Sequence, residues 1–61
     1  MGKIKKIQFM TVEELALALR VPKSTIYKWV YERRIPYVKI GKRLLFEYTK
    51  IMEWIEKHTV S

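Results

Sequence analysis

Lys23, Ser24, Thr25, Tyr27 and Lys28, followed by Lys39, Lys42 and Arg43, have the types and spacing of a polyanion reader. Ammonium and guanidinium groups pair with phosphates. Hydroxyls and phenols donate to phosphate oxygens and to base edges. The charge is concentrated where these residues lie. Between Arg20 and Arg43 there are eight cations and one acid, Glu32, so this segment carries a net +7, equal to that of the whole chain. Lys3, Lys5 and Lys6 add three positive charges, the Glu13–Glu14 pair removes two, and the C-terminal third is net −1. Such asymmetry points to a polyanionic partner, because neutralised phosphates release condensed counterions. The plain alternative is that these Lys and Arg residues only solvate the surface.

Other chemistries lack their residues. The chain has no Cys, no Asp, a single His (His58), and glycine only at positions 2 and 41. Thiolate or disulfide chemistry, a His-Asp relay and a Gly-rich phosphate loop are therefore missing. Glu13 and Glu14 are explained by helix capping. Sixty-one residues leave little room for a water-excluding pocket. The expectation is a protein that is not an enzyme, takes no cofactor, metal or small-molecule substrate, and has no membrane span. Its expected location is the cytoplasm, with the nucleoid.

Two short helices must hold the first five of these residues. Thr11 with Glu14 makes a Thr-x-x-Glu capping box, and Met10 with Leu15 takes the positions of a hydrophobic staple. Val12, Leu15, Ala16 and Leu19 then fall on one buried stripe, with Leu17 pointing away. Pro22 stops this helix near Arg20 or Val21, since the residue before a proline avoids helical geometry. Pro22 itself suits the start of a second helix, which puts Lys23, Ser24 and Thr25 in its first turn, where free amides and the helix dipole favour a phosphate. In that helix Ile26, Trp29, Val30 and the stem of Arg33 form the inward stripe. Ser24, Tyr27, Lys28 and Tyr31 face outward, with Thr25 and Glu32 on a flank. Tyr31 is expected to pack partly against the domain rim, and Tyr27, nearer the helix start, to contact the polyanion.

Ile35 to Phe46 reads as two strands in period-2 alternation, split by Gly41-Lys42 in a type II′ turn. Lys39, Lys42 and Arg43 surround the tip. A cationic ribbon after two helices is a wing that can reach phosphates or a minor groove; the competing role for those cations is protection of a strand edge. A third helix from about Tyr48 to His58 offers Ile51, Trp54, Ile55 and the aliphatic part of His58 to close the core. Glu47 is a poor cap for it, and His58 is expected to be a solvated surface residue. Residues 1–10 form a basic arm in which Ile7 and Phe9 alternate as in a short strand. Its lysines either touch phosphate or only solubilise. Residues 11–58 form the domain.

These blocks together resemble the small winged helix-turn-helix domains of the excisionase type, related to the DNA-binding domain of MerR-like regulators. The similarity lies in Phe9 to Ala16, Val21 to Trp29, Ile35 to Arg43, and Ile51 with Trp54-Ile55. It implies a mostly α fold with a small β-hairpin, ordered helix-helix-strand-strand-helix. It further implies a monomeric domain that puts the second helix in the major groove of double-stranded DNA, through Lys23, Ser24, Thr25, Tyr27 and Lys28. The wing would lie on the minor groove, through Lys39, Lys42 and Arg43. Family members associate cooperatively on DNA, bend it, and steer an integrase or recombinase of a mobile element, or else regulate transcription. Two positions depart from the pattern: Pro22 stands where Ser usually caps, and Arg33 where Gly usually ends the second helix. The competing function is a protein-interaction module using Leu17, Tyr31 and Met52. RNA binding fits the charge but not the architecture, since two tyrosines on a helix are not a stacking sheet.

Overall fold

The structure, a computed structural model, describes residues 7–59. Its elements are β1 (Phe9–Met10), α1 (Val12–Leu19), α2 (Lys23–Tyr31), β2 (Val38–Ile40), β3 (Arg43–Glu47) and α3 (Tyr48–Lys57). The helix-helix-strand-strand-helix order is as the sequence predicts, with one addition at the front. Strand β1 pairs antiparallel with β3, so the sheet has three strands in the order β1-β3-β2. Part of the expected arm is thus built into the domain. Lys3, Lys5 and Lys6 lie outside the described residues.

Helix α1 begins as its sequence dictates. The Thr11 hydroxyl accepts from the Glu14 amide at 3.1 Å, and the Glu14 carboxylate accepts from the Thr11 amide at 2.9 Å. It ends with Arg20 in the left-handed region, at φ 60°. There the amides of Arg20 and Val21 donate back to the carbonyls of Leu17 and Ala16, a Schellman ending. Helix α2 ends in the same way. Arg33 has φ 58°, and the Arg33 and Arg34 amides reach the Val30 and Trp29 carbonyls. The arginine that replaces the expected glycine therefore takes the strained geometry. Its stem does not join the inward stripe: Arg33 is exposed, and Ile35, two residues on, fills the core instead. The turn directs the chain so that Ile35 points inward while Arg33 leaves the helix surface.

The core consists of Val12, Leu15, Ala16, Ile26, Ile35, Phe46 and Ile51, with Met10, Leu19, Val21, Trp29, Val30, Leu44, Trp54 and Ile55 packed around it. Phe46 and Ile26 are fully buried. Every element except β2 sends at least one side chain into this cluster, so the two helices, β3 and α3 are held in one packing unit. The extended region is shorter than the alternation suggests. Residues 35–37 lie outside the strands, and pairing starts only at Val38. Pro36 has no amide to give a ladder there.

Candidate nucleic-acid interface

Helix α2 has one buried position, Ile26, flanked by the half-buried Trp29 and Val30. These fix its rotation about its own axis. Ser24, Tyr27, Lys28 and Tyr31 are accordingly exposed, Tyr27 at 52% and Tyr31 at 88%, so Tyr31 does not pack against the domain rim as expected, while Thr25 on the flank is half-buried. Pro22 occupies the cap position rather than the first helical turn, and no side chain caps the first-turn amides. The carbonyl of Pro22 accepts from the Thr25 amide at 3.0 Å. Lys23 leans back toward α1, its ammonium 3.7 Å from the Glu13 carboxylate.

Pairing in the ribbon is Val38 with Leu45, Lys39 with Leu44, and Ile40 with Arg43. Gly41 has φ 60° and Lys42 has no positive φ, which agrees with a type II′ turn. Directly paired residues share a face of the sheet. Leu44 packs on the core, so its partner Lys39 lies on the core side of the ribbon. Arg43 and Ile40 lie on the opposite side. Twist and pleat thus divide the three wing cations between two faces.

Helix and ribbon meet at a cleft of about 440 Å³ lined by Tyr27, Val30, Tyr37, Lys39, Lys42 and Leu44. Of the residues singled out from the sequence, the cleft brings together Tyr27, Lys39 and Lys42. Ser24 and Lys28 project from α2 without lining it, Lys23 is held by Glu13, and Arg43 is on the far face of the ribbon. The floor of the cleft is apolar (Val30, Leu44) and its rim carries phenols and ammonium groups. Such a surface offers donors to anionic oxygens and flat rings to sugar or base edges. Tyr37 is a lining residue that the sequence reading passed over. It sits two residues before Lys39 and so shares its side of the chain, a signal that period-2 alternation could have supplied.

Helix α3 stays away from this surface. Ile51 enters the core, and the indole Nε1 of Trp54 donates to the Arg34 carbonyl at 2.7 Å, which ties α3 to the end of α2. The Trp29 and Trp54 rings meet at a tilt, centroids 5.6 Å apart and planes at 54°, and the exposed His58 ring lies 4.6 Å from Trp54. Among the described residues there is no group of three or more His, Cys, Asp or Glu placed to hold a metal. No helix among them is long and apolar enough to cross a membrane.

A family profile described as a helix-turn-helix domain matches residues 9–59. Two curated proteins of Mycobacterium tuberculosis, from strains CDC 1551 and H37Rv, each named "Putative DNA-binding protein", are 31% identical over 55 residues. The alignment covers 90% of this chain and 70% of theirs. No solved structure matches the chain. The matched span takes in both helices, the ribbon and α3, and the chain belongs to the helix-turn-helix domain family.

Proposed function

We propose that the protein binds double-stranded DNA in a sequence-specific manner, with α2 in the major groove and the ribbon on the adjacent minor groove. The observation that carries this reading is the shared cleft: Tyr27 of α2 faces Lys39 and Lys42 of the wing across an open gap. Family membership and the names of the two mycobacterial relatives support it. Ser24, Thr25, Tyr27 and Lys28 would address base edges and nearby phosphates. Lys23, with the uncapped first-turn amides, would take a phosphate, as would Lys39, Lys42 and Arg43. The finer role is that of an excisionase-like recombination directionality factor, working beside an integrase and self-associating on its site, or of a small transcriptional regulator. Footprinting across the attachment sites of a neighbouring mobile element separates the two: protection there supports excision, and protection at promoters alone supports regulation.

The direct test is binding to a selected duplex and to random duplex. Lys28→Ala and Thr25→Ala are expected to weaken preference for the selected site by about 1–3 kcal/mol where a bidentate base contact is lost. Equal losses on both duplexes would remove α2 from the role of reading helix. The competing module for protein partners draws on Leu17, Tyr31 and Met52, exposed at 80%, 88% and 41%. It gains if no duplex is bound below ~100 μM at low salt, since even non-specific binders reach that range.

A further inference from the structure

We infer that Ile40 is the apolar contact of the wing, seated against the deoxyribose edges of the minor groove beside the phosphate taken by Arg43. This rests on the DNA-binding reading and adds to it a residue chosen for a non-ionic role. Ile40 is 54% exposed, lies outside the core cluster, and is the last residue of β2 before the Gly41 turn. Around it at the tip are Lys39, Gly41, Lys42 and Arg43, so it is the single apolar side chain among residues 39–43. Core packing does not explain it, because the ribbon turns its other face, through Leu44, to the helices. Edge protection does not explain it either, since an exposed β-branched residue makes an edge more prone to pair, not less.

The register supplies the positive argument. Ile40 pairs directly with Arg43 across the ribbon. Paired side chains on one face stand about 5 Å apart at Cβ. One such pair therefore presents a cation and an apolar group side by side. A nucleic-acid strand offers the complement, an anionic phosphate next to an apolar sugar edge. A partner for this tip must accept both, and the positive charge on each side of Ile40 excludes an apolar partner surface, which would strip water from the three neighbouring cations Lys39, Lys42 and Arg43. Minor-groove proteins use apolar side chains in this way, at the groove wall or as wedges between base steps.

The experiment compares the full chain with Ile40→Ala, Ile40→Thr and Lys42→Ala on one duplex across a salt series, with thermal melting of each variant alongside. Ile40→Ala is expected to weaken binding about 5- to 10-fold, the loss of part of one buried aliphatic side chain, while the slope of log K against log salt stays at the wild-type value. Lys42→Ala is expected to lower that slope by about one unit. Ile40→Thr keeps β-branching, and hence the strand, so affinity lost there at unchanged melting temperature supports a contact rather than a fold effect. Wild-type affinity in both Ile40 variants, with Lys42→Ala still impaired, would overturn the inference and leave the DNA-binding reading standing. Failure of the wild-type chain to bind any duplex would overturn both.

Discussion

Arg20 and Arg33 occupy the backbone geometry that glycine adopts without strain. Each sits at φ near 60° directly after a helix, where its Cβ crowds the neighbouring carbonyl. The local cost is roughly 1–2 kcal/mol, offset in a glycine variant by the greater freedom of the unfolded chain. Arg20→Gly and Arg33→Gly are each expected to stabilise the domain by about 0.5–1 kcal/mol, raising the melting temperature by about 3–6 °C for a domain of this size. A fall in melting temperature for either variant would mean that the arginine side chain contributes more than its backbone costs. Glu13 has the opposite consequence for binding. Its carboxylate lies 3.7 Å from the Lys23 ammonium, at the start of α2. The pair is well exposed and adds little to stability, but it partly neutralises a cation that a phosphate would otherwise use. Glu13→Gln is expected to tighten binding to any duplex and to steepen the salt slope by up to about one unit, as Lys23 becomes fully available. Anisotropy titrations at several salt concentrations measure both, and an unchanged slope would show that Glu13 does not withhold Lys23 from a phosphate.

Helix α3 depends on contacts made far away in sequence. Glu47 at its cap position makes no side-chain hydrogen bond. The Tyr48 amide is instead taken by the Gln8 carbonyl at 2.9 Å, so the segment leading into β1 satisfies the helix that follows β3. At the other side the Trp54 indole serves the Arg34 carbonyl, twenty residues back. Trp54→Phe keeps much of the tilted aromatic contact with Trp29 and removes that donor. It is expected to cost about 1 kcal/mol in chemical denaturation, the net worth of one hydrogen bond. These contacts explain what the sequence could and could not disclose. The Thr11–Glu14 box, the break at Pro22 and the Gly41 turn are local rules and were legible. Alternation at Ile7 and Phe9 suggested a short strand, but the pairing of Phe9 and Met10 with Glu47 and Phe46 is non-local, and no local rule names that partner. The wing was legible as a ribbon but not in its orientation. Both alternating sets are rich in apolar residues (Leu44 and Phe46 against Val38, Ile40 and Leu45), so periodicity alone could not choose the inner one. That ambiguity is why Lys39, Lys42 and Arg43 read as one cationic tip, whereas the register separates Arg43 from Lys39.

The distribution of charge over the folded domain gives the broadest test. Glu53 and Glu56 lie on α3, which Trp54 ties to the C-terminal end of α2, whereas Lys23, Lys28, Lys39, Lys42 and Arg43 come from α2 and the ribbon. Counterion release counts only the cations that meet phosphates, each lowering log K by about 0.9 per decade of salt. If those five all engage, Lys23 freed from Glu13 included, the slope is expected near −4.5 for B-form DNA, and the wild-type slope up to about one unit shallower, before any contribution from residues 1–6. A uniform cloud of thirteen cations acting at random would instead make the slope insensitive to which lysine is removed. Lys57→Ala, on α3, is therefore the informative control. It removes the same charge as Lys42→Ala and lowers the net charge equally, yet it should leave the slope unchanged while Lys42→Ala reduces it by roughly one unit. Equal reductions in the two variants would show that the domain is held by its overall charge rather than by the face that α2 and the wing create.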